Sequence, residues 1–161
     1  MTTDIKKQIL LKAPPTQVWS AITRSQEFGS WFGMKLEGEF KVGQMIRGHI
    51  VPTSVDPEVA KLQKPFEGKA VELFVDRIRP ETKFCLKWHP FAIDPAVDYS
   101  QEAMTLITFT LEPRDGGTLL TITETGFEFI PASRRADAIK ANDGGWAHQT
   151  LLLQKYLSRA N

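Results

Sequence analysis

Residues 103–127, AMTLITFTLEPRDGGTLLTITETGF, constrain the fold more than any other stretch. Threonine alternates with leucine, isoleucine and phenylalanine on both sides of RDGG, the period of a half-buried strand. Asp-Gly between two such runs is hairpin chemistry, because the tight turn needs positive φ, which glycine takes without steric cost. A hairpin with one apolar face needs a layer to cover it. The next segment supplies one. Pro131 opens a helical run near residues 131–158, in which Ile139, Trp146, Thr150, Leu153 and Leu157 follow one another at spacings of seven, four, three and four. They form a single apolar stripe, so the helix lays one face on the sheet.

Upstream, DIKKQILLKA (4–13) reads as a first strand, with β-branched Ile5 and Ile9. Pro14 and Pro15 suit a turn and the first turn of a short helix over Pro15–Thr23, with Val18, Trp19 and Ile22 at helical spacing. Ser25 suits the cap of a second short helix holding Phe28, Trp31 and Phe32. Strands are expected at 45–51, 69–78 and 83–89, and the stretches 51–68 and 90–102, rich in proline, are expected to be loops. The order is strand, two short helices, about five strands and a long helix. Neighbouring strands imply an antiparallel sheet with segregated helices, which is α+β, and no linker or repeat divides residues 1–161 into more than one domain.

Composition narrows the function classes. The formal net charge is +1 with acids and bases mixed, so no basic stripe points to nucleic acid. No run reaches the ~20 apolar residues of a membrane span. One cysteine, Cys85, excludes an internal disulfide framework and fits a reducing compartment, so a cytoplasmic location is expected. The three histidines, His49, His89 and His148, fall in no metal-ligand spacing, and there is no nucleophile elbow, phosphate loop or dinucleotide fingerprint. No cofactor, metal or catalytic residue is therefore assigned. Cys85 alternates away from Trp88 and is expected to pack on the outer face of the sheet.

Two features resist a simple reading. NDGGW (142–146) places two glycines, each costing up to ~1 kcal/mol in a helix, beside the bulkiest side chain of the stripe. Either the glycines let the helix approach a backbone or ligand closely, or the stretch is a local turn. The second feature is Glu124, which shares a face with Leu120 and Ile122. If that face is interior, a carboxylate stands among apolar groups and needs a partner, for which Arg47 or His49 on a neighbouring strand are candidates. Gly126 ends the strand two residues later, so a water-reached strand end is the other reading.

IKKQILLKAPPTQVWSAIT, the hairpin and GGWAHQTLLLQKYL together resemble the START/Bet v 1-like (SRPBCC) superfamily, in the branch related to the C-terminal domain of the Hsp90 ATPase activator. The resemblance implies a helix-grip fold. A curved antiparallel sheet wraps the long C-terminal helix, two short helices close one end, and a cavity lies between. It also implies that NDGGW lies within a continuous helix, with the glycines where that helix passes close to sheet or cavity. Loops 51–68 and 90–102 then stand near the cavity mouth, where a lid is an option. The inward-facing candidates for binding a ligand are Trp31, Phe32, Trp88, Ile107, Phe109, Ile122, Glu124, Trp146 and Thr150, with Arg47 and His49 as polar partners.

Such a wall favours a small hydrophobic or amphipathic ligand, lipid-, sterol- or polyketide-like. Two alternatives stand beside it: a protein interacting with Hsp90 or another chaperone, or acting in a stress response, and a cyclase or hydrolase built on the same cavity with Glu124 and Arg47 or His49 as acid and base. Exposed sheet edges leave a homodimer open.

Overall fold

A computed structural model describes residues 4–159. Seven strands form one antiparallel sheet: β1 (Ile5–Leu11), β2 (Met34–Glu37), β3 (Met45–Ile50), β4 (Ala70–Arg79), β5 (Lys83–Trp88), β6 (Thr105–Arg114) and β7 (Gly117–Thr125). Their spatial order is β1-β7-β6-β5-β4-β3-β2, so β1 closes against the last strand and the rest follow as a meander. Helices α1 (Pro15–Thr23) and α2 (Ser25–Phe32) sit between β1 and β2, α3 (Pro57–Gln63) between β3 and β4, and α4 (Ala132–Arg159) follows β7. The architecture is the α+β helix grip that the sequence led us to expect.

The hairpin forms as its turn dictates. Register runs from Leu106↔Thr125 to Arg114↔Gly117, and Asp115 and Gly116, at φ 50° and 77°, make the two-residue turn. Alternation then sends Thr118, Leu120, Ile122 and Glu124 to the inner face, all buried, facing Leu111, Phe109, Ile107 and Thr105 of β6 and neighbouring Leu11 and Ile5 of β1. From β5, Phe84 and Leu86 join them, while Cys85 lies on the other face against Thr108.

On this face α4 lies as a continuous helix and packs against β1, α1 and α2. It buries Trp146, Leu152, Leu153 and Leu157, each at most 4% exposed. At about 1.5–3 kcal/mol per buried side chain, this stripe outweighs the ~2 kcal/mol that two glycines cost a helix. The turn alternative for NDGGW is thereby overturned.

Three expectations need correction. Met34–Glu37 is a strand that the sequence reading passed over; paired only with β3, it is short and edge-lying, too brief to show a period. Within 51–68, residues 57–63 are helical, because Asp56 caps the N–H groups of Glu58 and Val59 and Pro57 occupies the first turn. Ser25 does not cap α2; its hydroxyl instead donates to the Gly38 carbonyl.

Candidate functional site

At the inner end of β7 the Glu124 carboxylate is fully buried and receives four donors. Trp146 Nε1–H reaches Oε1 at 2.8 Å, and Trp88 Nε1–H and Thr105 Oγ1–H reach Oε2 at 2.7 and 2.6 Å. The Asn142 amide straddles both oxygens at 3.0 and 3.1 Å. An ionised carboxylate is an acceptor with about four lone-pair sites, and here donors fill them. The strand-end reading of Glu124 is overturned, and so is its pairing with Arg47 or His49. Arg47 is exposed and pairs with Glu72 across the β3–β4 ladder at 3.4 Å, and His49 is half-buried beside Lys35 and Ala70. Strand β3 is separated from β7 by β4, β5 and β6, out of reach of Glu124.

The Glu124 cluster accounts for NDGGW. Asn142 and Trp146, four apart on one helix face, both reach down to Glu124, and Asp143 pairs with Lys7 of β1 at 3.0 Å. A Cβ at Gly144 or Gly145 would meet nothing within 4 Å. The glycines therefore do not serve a tight approach of helix to sheet. Gly145 instead borders open space.

That space is a cavity of about 940 Å³ between α4 and the β3–β5 half of the sheet. Its floor is aromatic. Phe32 and Trp88 border it, with ring centroids 6.1 Å apart, and the buried Trp146 packs behind them at 5.8 and 5.9 Å, lining only a smaller pocket of about 140 Å³ alongside; Glu124 holds both indoles. Val71 and Leu73 of β4 and Met104 add apolar wall, and Asn142, Gly145 and Gln149 add the α4 side. Both long loops border it, through Gln63 and Phe66 of one and Phe91, Ile93 and Tyr99 of the other. Met45, Phe66 and Ile93 remain exposed and form an apolar rim.

Loop 90–102 is fastened to α4 by one side chain. Arg134 gives two hydrogen bonds to Glu102 Oε1, at 2.6 and 2.9 Å, and two to the carbonyls of Pro90 and Phe91, at 2.8 and 3.2 Å. Its guanidinium also lies 4.8 Å from the centre of the Tyr99 ring, in cation–π range.

Polar side chains also line the cavity, among them Gln63, Lys69, His89, Asn142 and Gln149. Among the described residues, three buried side-chain atoms lack a hydrogen-bond partner: Lys69 Nζ, His89 Nδ1 and Gln149 Oε1. All three residues border this cavity. Burial lowers the Lys69 ammonium below its usual value, and the negative charge of Asp94 opposes that shift. Among the described residues no three His, Cys, Asp or Glu side chains gather as metal ligands, and no helix is long and apolar enough to cross a membrane.

The family model for "Activator of Hsp90 ATPase homolog 1-like protein" matches residues 12–158. The chain belongs to this family. No curated protein matches it in sequence. Solved structures with the same fold include protein MLL2253 from Mesorhizobium loti, at 23% identity and a TM-score of 0.70, covering 98% of each chain. The Aha1 dimer from Colwellia psychrerythraea is similar at 20% identity and TM-score 0.68, over 96% of this chain and 95% of that one. DynU16, from the dynemicin biosynthetic locus, is similar at 19% identity and TM-score 0.68, with this chain spanning 49% of its length.

Within this member of the Hsp90-activator-like family, the expected ligand wall divides. Phe32, Trp88 and Trp146 border open space. Trp31, Ile107, Phe109, Ile122 and Thr150 are packed core instead; the Trp31 indole is held by the Ala21 carbonyl at 2.9 Å and the Thr150 hydroxyl by Ala147 at 2.9 Å. Inner-face residues of β6 and β7 lie under α4, whereas the cavity opens over β3 to β5. Lys69 was missed although KAVELFV carries its signal: Lys69 shares the parity of Val71, Leu73 and Val75. Alternation over the expected strand 83–89 put His89 on the Cys85 face, away from the cavity; β5 ends at Trp88, alternation lapses there, and His89 borders the cavity instead.

Proposed function

We propose that the protein binds a small hydrophobic or amphipathic molecule in the cavity between α4 and the sheet. The observation that carries this reading is the cavity itself: about 940 Å³, near the upper end of the ~300–1,000 Å³ typical of small-molecule sites, with aromatic and aliphatic side chains on its wall and polar groups among them. The Glu124 cluster supports it in a second way. A carboxylate that fixes the Trp88 indole, with the buried Trp146 packed beside it, keeps the floor rigid, so less ordering is left for a ligand to impose. Loop 90–102, fastened by Arg134, serves as the lid over one side.

Native mass spectrometry of the freshly purified protein, followed by thermal-shift titration with fatty acids, sterols and aromatic polyketides, tests the proposal. A co-purifying molecule, or a shift that grows with ligand concentration, is expected. Trp88 and Trp146 fluorescence should respond to the same ligands. Silence in all three measurements refutes the reading.

A chaperone-linked role is the second reading, supported by the family's description and by the Colwellia neighbour being an Aha1 protein. It is tested by the effect of the purified protein on Hsp90 ATPase turnover. That neighbour is a dimer, and a homodimer of this chain is tested by sedimentation. A cyclase or hydrolase working through Glu124 with Arg47 or His49 is not proposed, since the three residues lie apart.

A further inference from the structure

Lys69 stands just before β4, level with Ile50 of β3, where Ile50 N–H donates to the Lys69 carbonyl at 2.9 Å. Its parity with Val71 and Leu73 turns the side chain onto the cavity wall. The Nζ is buried and makes no hydrogen bond. Lys69 as a whole is half-buried, but an ammonium shielded from water and without a partner is costly to hold, and a well-placed anion offsets part of that cost. The acids on the same wall are already engaged. Glu72 pairs with Arg47 at 3.4 Å, Glu102 with Arg134 at 2.6 Å, and Asp98 accepts from the hydroxyl and N–H of Ser100 at 2.6 and 3.0 Å. Asp94 acts on Lys69 only through its field, outside ion-pair distance among the described residues. Two more orphan groups, His89 Nδ1 and Gln149 Oε1, border the same space, so the cavity holds more polar capacity than the protein uses.

Resting on the cavity reading above, we infer that the ligand class is an acid with an apolar body, and that Lys69 binds its carboxylate while the aromatic floor takes the rest. The complementarity is one of sign and surroundings: among the described residues that line the cavity, Lys69 is a cation with no hydrogen-bond partner, Val71 and Leu73 lie beside it on β4, and Met45, Phe66 and Ile93 offer a rim for the chain. A carboxylate is the smallest head group that completes this ammonium, and burial in the cavity strengthens the contact relative to water.

Decanoate and 1-decanol make the test. Their chains match, so apolar burial cancels and the ratio of their dissociation constants reports the head group alone. Calorimetry at neutral pH should show the wild-type protein binding decanoate tighter than decanol by roughly ten- to a hundredfold, the range of a charge-assisted hydrogen bond. Lys69→Met, which keeps the apolar stem, should bring the ratio to about one by weakening decanoate while leaving decanol within roughly threefold. Lys69→Arg should keep the preference. Wild-type protein that binds both molecules equally overturns the inference and leaves the cavity reading standing. So does an acid preference that survives in a folded Lys69→Met variant. If neither molecule binds the wild type, the cavity reading itself fails. The wild-type ratio needs no variant, so a variant that does not fold leaves the test intact.

Discussion

Replacing Glu124 by glutamine changes one oxygen into an NH2 and nothing in shape. The surroundings were built for an acceptor. An indole N–H can only donate. On the Oε2 side the new NH2 meets Trp88 and Thr105, whose hydroxyl can turn to accept; on the Oε1 side it meets Trp146 and Asn142, so either way one indole N–H faces a donor, and the second arrangement shows the cost. The Asn142 amide can turn its own oxygen to accept. Trp146 has no such freedom, and its buried N–H is orphaned at a cost of about 1–3 kcal/mol. The two donors that remain, Trp88 and Thr105, keep the amide oxygen as their acceptor. The loss should be about 1–3 kcal/mol, a large share of the ~5–15 kcal/mol stability of a native domain. Trp146→Phe alone removes one donor and leaves Oε1 with Asn142, costing about 1–2 kcal/mol. In the double variant the collision is gone, since no N–H remains at position 146. The double variant should therefore be less destabilised than the sum of the singles by at least ~1 kcal/mol, well beyond the ~0.5 kcal/mol within which independent sites add. Urea unfolding followed by far-UV circular dichroism, with m held common, measures all four proteins. Additive costs, or a glutamine variant as stable as the wild type, would refute the donor-only geometry of this cluster.

Other consequences follow from single contacts. Alanine at Gly144 or Gly145 meets nothing within 4 Å, so each should raise stability by about 0.5–1 kcal/mol in thermal unfolding, whereas Gly145→Phe should keep the fold and reduce ligand-induced thermal shifts by projecting a ring into the cavity. Arg134→Ala removes a partly buried ion pair and two carbonyl contacts, so amide exchange across 90–102 should speed up while the sheet stays protected, with a loss of about 1–3 kcal/mol. Burial, then the Glu27 carboxylate 2.7 Å away, push the Tyr156 phenol from 10.0 to about 12. The folded protein thus holds that proton more tightly than the unfolded chain. The stability it adds is complete below pH 10 and is lost as pH rises through about 12. Tyr156→Phe should flatten the fall in melting temperature across that window.

The hairpin, the two short helices and the amphipathic C-terminal helix were all legible along the chain, because each rests on a local signal: a period of two, a period near 3.6, a proline at a helix start, a turn that needs positive φ. The face that Glu124 shares with Leu120 and Ile122 was legible as well, but its burial was not, since Gly126 two residues on pointed equally to a strand end reached by water. Its partners were not. Trp88, Thr105, Asn142 and Trp146 come from three further elements that only the packing of α4 on the sheet brings to one carboxylate. Arg47 and His49 looked equally suitable in sequence and lie three strands away from β7 at the nearest. The division of aromatics into core and cavity was likewise a tertiary outcome. Alternation and helical spacing say which side of an element is covered, but whether another side chain or open space covers it depends on where α4 crosses the sheet and on how loop 90–102 is fastened. Most elements and their inward faces follow from interactions within a few residues and could be read along the chain; the short edge strand β2 and helix α3 could not. The cavity, its unengaged lysine and the buried carboxylate behind its floor were decided only by tertiary structure, because each depends on groups distant in sequence meeting, or failing to meet, in space.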